Sequence, residues 1–112
     1  MFVILFKSRL SEQAGEDYYA MEDVMRERVR AIAGDDLVDV KQYTGEDGER
    51  LAVVMWRNAE TLDKWRHDPE HLVAQALGRE QWYSSYELQV AEVIRSSSHV
   101  AAPSVTPSDA SA

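Results

Sequence analysis

The chain has 112 residues, enough for one domain with a modest core. Asp and Glu number 20 against 12 Lys and Arg, a formal charge of -8 that repels phosphate backbones and anionic lipid, so neither nucleic acid nor membrane is an expected partner. The absence of cysteine excludes disulfides, thiol nucleophiles and thiolate metal sites, and suits a reducing cytoplasm, the expected compartment.

Phe2-Val3-Ile4-Leu5-Phe6 reads as a first strand that continues through Leu10 and is apolar on both faces. It is too short for a secretory signal core and has no basic region before it, so no targeting segment is expected. From about Ser11 to Ala33 the period becomes helical, with Tyr18, Met21, Met25, Val29 and Ile32 forming a stripe. Acidic residues crowd the first half of this helix and arginines the second, in agreement with the helix dipole. Gly34 is placed to end it.

Asp36 to Thr44 reads as a more polar strand, with Val38 and Val40 opposite Leu37, Asp39, Lys41 and Tyr43. The turn Gly45-Glu46-Asp47-Gly48 closes a hairpin onto Leu51-Ala52-Val53-Val54-Met55-Trp56, a strand apolar on both faces around which the chain is organised. Asn58 is a fitting N-cap for a short helix carrying Leu62 and Trp65 inward. Asp68-Pro69 then interrupts it and starts a second piece that buries Leu72, Val73, Ala76 and Leu77, with Gly78 as a stop. An aromatic-rich connection through Trp82 and Tyr83 leads to a last strand from Tyr86 to about Ile94. Residues 1–96 form the domain; residues 97–112, rich in Ser, Ala and Pro, read as a disordered tail.

The order strand, helix, strand, strand, helix, strand predicts an α+β, ferredoxin-like split βαβ fold with a four-stranded antiparallel sheet and both helical regions on one face. The other face keeps half of two apolar strands. A patch of that kind predicts a homodimer packed sheet to sheet, as an α/β barrel.

The Asn58-Ala59-Glu60 helix start, Trp65, Asp68-Pro69-Glu70-His71 and Glu80-Gln81-Trp82-Tyr83 before a final strand resemble the antibiotic biosynthesis monooxygenase family of dimeric αβ-barrel proteins, over residues 1–95. The resemblance implies a pocket between helices and sheet, and one of several activities. The first is cofactor-independent monooxygenation of a small phenolic or quinol compound. The second is heme binding or degradation, with His71 on the iron. A non-catalytic dimeric module, binding small apolar ligands or serving a stress response, is the third. Heme-degrading members carry an Asn on the first strand where Lys7, Ser8 and Arg9 stand here. In cofactor-free members an Asn and a Trp sit one helical turn apart, whereas Asn58 and Trp65 are two turns apart.

The candidate catalytic residues are His71 as base, Trp65, Tyr43 as hydrogen-bond donor, and Asn58; the candidate substrate contacts are Trp65, Tyr86, Trp82 and Arg79. Part of the Trp82, Tyr83, Tyr86 cluster is also expected at the dimer contact. His67 and His71 have the spacing of a helical metal pair, but Pro69 between them breaks the shared face, so no metal site is expected. No Gly-rich phosphate loop is present for a flavin or nicotinamide, so no cofactor is expected beyond the heme of the second reading.

Overall fold

A computed structural model describes residues 1–103. The last part of the expected tail, residues 104–112, lies outside the described residues, while 93–103 carry no helix or strand. The elements are β1 (Phe2–Leu10), α1 (Glu16–Ala33), β2 (Leu37–Thr44), β3 (Arg50–Trp56), α2 (Ala59–Arg66), α3 (Pro69–Leu77) and β4 (Tyr83–Glu92). One antiparallel sheet runs β2-β3-β1-β4, the ferredoxin-like order, with the two apolar strands in the centre. No described helix is long and apolar enough to cross a membrane.

The register fixes the two faces, because directly opposed residues point the same way. Phe2, Ile4, Phe6 and Ser8 of β1 oppose Trp56, Val54, Ala52 and Arg50 of β3. This is the helix face: the fully buried Trp56 donates through Nε1 to Thr61 Oγ1 of α2 at 2.8 Å, and Arg50 reaches Tyr18 of α1. Val3 and Leu5 oppose Met55 and Val53 on the far face, with Leu51 opposite Lys7. Among the described residues no helix covers this apolar strip, and all five of its residues stay part-exposed.

Three expectations need correction. The first helix begins at Glu16 rather than Ser11, because Ser11 is tied to the far end of the chain: its N–H donates to Trp82 O at 2.7 Å and its hydroxyl bonds Gln81 O. Gly34 does leave the helix at φ 55, but Gly78 does not act as a stop. Its backbone is helical, and the chain continues through a π-turn, Gly78–Trp82, before β4 starts three residues early at Tyr83. The missing side chain is what matters there, since a Cβ would stand 2.8 Å from the Tyr83 ring. Leu72 and Val73 are exposed rather than buried, Val73 along a groove beside α1. Trp82 is buried in its own chain, edge-on to Tyr18 at 5.6 Å and donating to Asp17 Oδ2 at 3.1 Å, which leaves Tyr86 as the exposed member of the aromatic cluster.

Overpacking against a ring this close costs about 1–3 kcal/mol, more than the roughly 1 kcal/mol of helix propensity that Ala returns over Gly. Gly78→Ala is therefore expected to lower unfolding free energy by about 1–2 kcal/mol in urea titrations. Its Tyr83 ring should lose its ordered position in aromatic NMR spectra.

Candidate functional site

Two side-chain clusters stand out on the helix side of the sheet. The first lies where α2 meets α3. Asn58 caps α2, its Oδ1 accepting from Glu60 N at 2.8 Å, and Asp68 caps α3, accepting from His71 N at 3.1 Å. Asp68 is buried, and Arg28 of α1 grips it from Nη2 at 2.7 Å and from Nε at 3.1 Å. That charge-assisted fork holds the Asp68 carboxyl below its ordinary range and fastens α1 to the helical joint. The rings of Trp65 and His71 stack at 3.9 Å with 12° between their planes. His71 Nδ1 lies 2.9 Å from Trp65 O; a carbonyl only accepts, so Nδ1 carries the proton and Nε2 is left as the acceptor. Burial holds His71 below its ordinary value of 6.5, against the opposing pull of the Trp65 carbonyl.

The second cluster surrounds a cavity of about 90 Å³ between α1 and the sheet, walled by Phe6, Ser8, Ala52, Arg50, Tyr18 and Tyr83, with Glu22 and Gln42 at its border. Arg50 projects from the sheet into this space. Its Nη1 donates to Tyr18 Oη at 2.8 Å and its Nη2 to Glu22 Oε2 at 3.3 Å. With its amide oxygen turned towards Arg50, the orientation that satisfies both groups, Gln42 accepts from Nε at 3.0 Å. Tyr18 in turn donates to Glu22 Oε2 at 2.9 Å. Burial pushes the Tyr18 hydroxyl well above the ordinary phenol value and raises Tyr83 as well. Burial pulls Arg50 down, but Tyr18 and Glu22 outweigh it and hold the guanidinium charged.

The residues singled out from sequence fall in separate places. Trp65 and His71 meet, while Asn58 is spent as a cap in the same region. Tyr86 touches the cavity wall, its ring 5.8 Å from Phe6 and 6.0 Å from Tyr83. Trp82 backs Tyr18 from behind. Arg79 is exposed in the π-turn. Tyr43 opposes Leu51 on the far face and stands away from both clusters. The sequence reading missed Ser8, Tyr18, Glu22, Arg50 and Tyr83 as site residues. A signal for two of them exists: Ser8 and Arg50 are polar residues continuing the inward-facing rows Phe2-Ile4-Phe6 and Trp56-Val54-Ala52.

Heme does not fit these residues. The cavity is far smaller than a macrocycle. The larger groove between α1 and α3, about 590 Å³, presents Asp17 and Glu70 where heme would bring its own carboxylates, and His71 lines neither space. His67 turns to its own helix, Nδ1 lying 2.9 Å from Asp63 O, and no group of three metal-ligating side chains occurs among the described residues.

The His71 environment sets a pH dependence. In the unfolded chain the imidazole titrates at its ordinary value, and in the fold it titrates lower. Between the two values the unfolded state binds more protons, so stability is full above about pH 6.5 and falls as pH drops through the folded value, by at most about 1.4 kcal/mol per pH unit. Urea midpoints between pH 7.5 and 5 should show this limb, and His71→Gln should flatten it. The Asp68 contribution is lost only at more acid pH, as its carboxylate protonates.

No protein-family model matches the chain. Among curated proteins it is 35% identical over 71 residues to the uncharacterized protein YqjZ of Bacillus subtilis, a match covering 62% of each chain. It is 26% identical over 98 residues, 86% of this chain, to the jasmonate monooxygenase ABM of Pyricularia oryzae, and spans 45% of that protein. The chain thus spans less than two thirds of either relative. Among solved structures, Rv0793 from Mycobacterium tuberculosis superposes with a TM-score of 0.68 at 21% identity, over 87% of this chain and 98% of that one. An antibiotic biosynthesis monooxygenase superposes at 0.67 and 9% identity, over 85% of this chain and all of its own. With the sheet order already in hand, these matches show that the chain shares its fold with an antibiotic biosynthesis monooxygenase and with Rv0793.

Proposed function

We propose that the protein is a cofactor-independent monooxygenase of small phenolic or quinol-like aromatic compounds, working as a homodimer in the cytoplasm. The observation that carries this reading is the cavity under α1, with aromatic walls and one polar end, opening beside an uncovered apolar row on β4. A cavity that admits benzene measures about 150 Å³, so the 90 Å³ here takes only the end of a substrate. Tyr86, Leu88 and Val90 lie on the helix face opposite Ser8, Phe6 and Ile4, about half exposed, and supply the bed for the rest of the ring system.

In this chemistry an electron-rich ring supplies the electrons. A CH₂ group and dioxygen become a carbonyl and water, with no outside reductant. The protein's share is to hold the ring, exclude water and take up the proton released. Glu22 is the carboxylate lining the cavity and Tyr18 stands hydrogen-bonded to it, so that pair takes the ring's proton and returns it to the peroxide oxygen that leaves as water. The dimer follows from the far face, where Val3, Leu5, Leu51, Val53 and Met55 would each gain up to about 1.5–3 kcal/mol on full burial.

Oxygen consumption with anthrones and hydroquinones tests the reading. Uptake above the blank is expected, falling about tenfold in Leu88→Glu, which removes roughly one apolar contact's worth of binding. Ligand binding with no uptake would overturn it in favour of a non-catalytic binder. Hemin should produce no Soret band that His71→Ala abolishes; such a band would favour the heme reading. Sedimentation should give a dimer at micromolar concentration and a monomer for Val53→Asp.

A further inference from the structure

The Ser8 hydroxyl is the polar group of the cavity left without an assignment. Ser8 is 5% exposed, lines the cavity, and makes no side-chain hydrogen bond to another described residue. A buried hydroxyl without a partner carries a desolvation cost, and such a group aimed into a cavity marks the place where a ligand atom or water completes it.

The charges around it decide what kind of atom. Among the described residues, Arg50 is the only cation on the wall. Each of its three nitrogens already donates, to Tyr18, Glu22 and Gln42. Glu22 also pairs with Arg26 at 3.5 Å, and Arg26 with Asp23 at 2.7 Å, so the row Arg50, Glu22, Arg26, Asp23 alternates in sign and sums to zero. An anionic ligand would have to displace Glu22 or meet its charge at close range, in a space too small to keep a hydration shell.

We propose that this cavity is a head-group site for a neutral oxygen, a carbonyl or hydroxyl at one end of an otherwise apolar, flat molecule, held by Ser8 and discriminating against carboxylates. This deepens the reading of the cavity as the reaction site. The head enters beside Ser8, and the body lies over Phe6, Tyr86 and Leu88, which are adjacent on the same sheet face. A neutral head also leaves the Arg50–Glu22 pair intact, so the pair keeps its tie between helix and sheet while the ligand is bound.

Titrations of the full chain with 2-naphthol, 2-naphthoate and naphthalene, followed by intrinsic fluorescence or calorimetry at pH 7.5, test this without requiring turnover. The naphthol should bind about tenfold more tightly than the other two, the worth of one buried hydrogen bond over its absence. Ser8→Ala, a change of one oxygen atom, should bring naphthol down to the naphthalene level and leave naphthalene unchanged. Glu22→Gln should raise naphthoate relative to naphthol by releasing the Arg50 charge, a reversal that a merely structural role for Glu22 would not give. The proposal is overturned if naphthoate binds as tightly as naphthol, if Ser8→Ala leaves the naphthol advantage in place, or if none of the three binds. Naphthol binding without oxygen uptake from any substrate would keep this site and remove the oxygenase. Oxygen uptake with a preference for carboxylates would do the opposite.

Discussion

The arrangement depends on a guanidinium placed on the inner face of a sheet. Arg50 begins β3 in the row that continues through Ala52, Val54 and Trp56, so its charge points towards the helical layer, away from open solvent. A charge in that position is tolerated only when its donors are met. Tyr18 and Glu22, one turn apart on α1, meet them, and in doing so set the height and rotation of the helix over the sheet. The void left beneath is the cavity, and its polarity follows from the same bonds.

A second restraint acts at the other end of α1. Arg28 holds the buried Asp68, which caps α3 and takes the His71 N–H. Arg28 thus stands six positions after Glu22 and ten after Tyr18, the two groups that fix the same helix to β3. Between these ends the contact of α1 with α3 is loose, which is why a groove remains there and why Val24 and Val73 stay exposed. Stacking on Trp65 and a bond to the Trp65 carbonyl give His71 a clear local role in closing the joint, apart from the cavity.

The apolar residues divide between two tasks. The inner row of β1 and β3 packs under the helices, and the outer row, Val3, Leu5, Val53 and Met55, forms a strip with polar edges such as the Lys7–Glu87 pair at 3.2 Å. On β4 the division is different. Tyr86, Leu88 and Val90 are on the helix side yet about half exposed, while the π-turn before the strand buries Trp82 and packs Tyr83 against Tyr18. Gly78 allows that turn to come against the Tyr83 ring.

Periodicity in the chain determined its elements, their order and hence the sheet, because side-chain alternation and helical spacing are local properties: β1, β2 and β3 lie within two residues of where the pattern puts them. It also determined the caps at Asn58 and Asp68, whose bonds reach only two or three residues ahead. The proximity of Trp65 to His71 belongs to the same class. The cavity was decided by tertiary structure, since its hydrogen bonds join Arg50 to residues 28 and 32 positions away, and ring contacts join Tyr18 to an aromatic pair 64 and 65 away. Glu22 looked like one more solvated charge on a helix, and Tyr18 like one more core aromatic. Only the register that turns Ser8 and Arg50 inward makes them a site, and register is a relation between strands that no single segment contains.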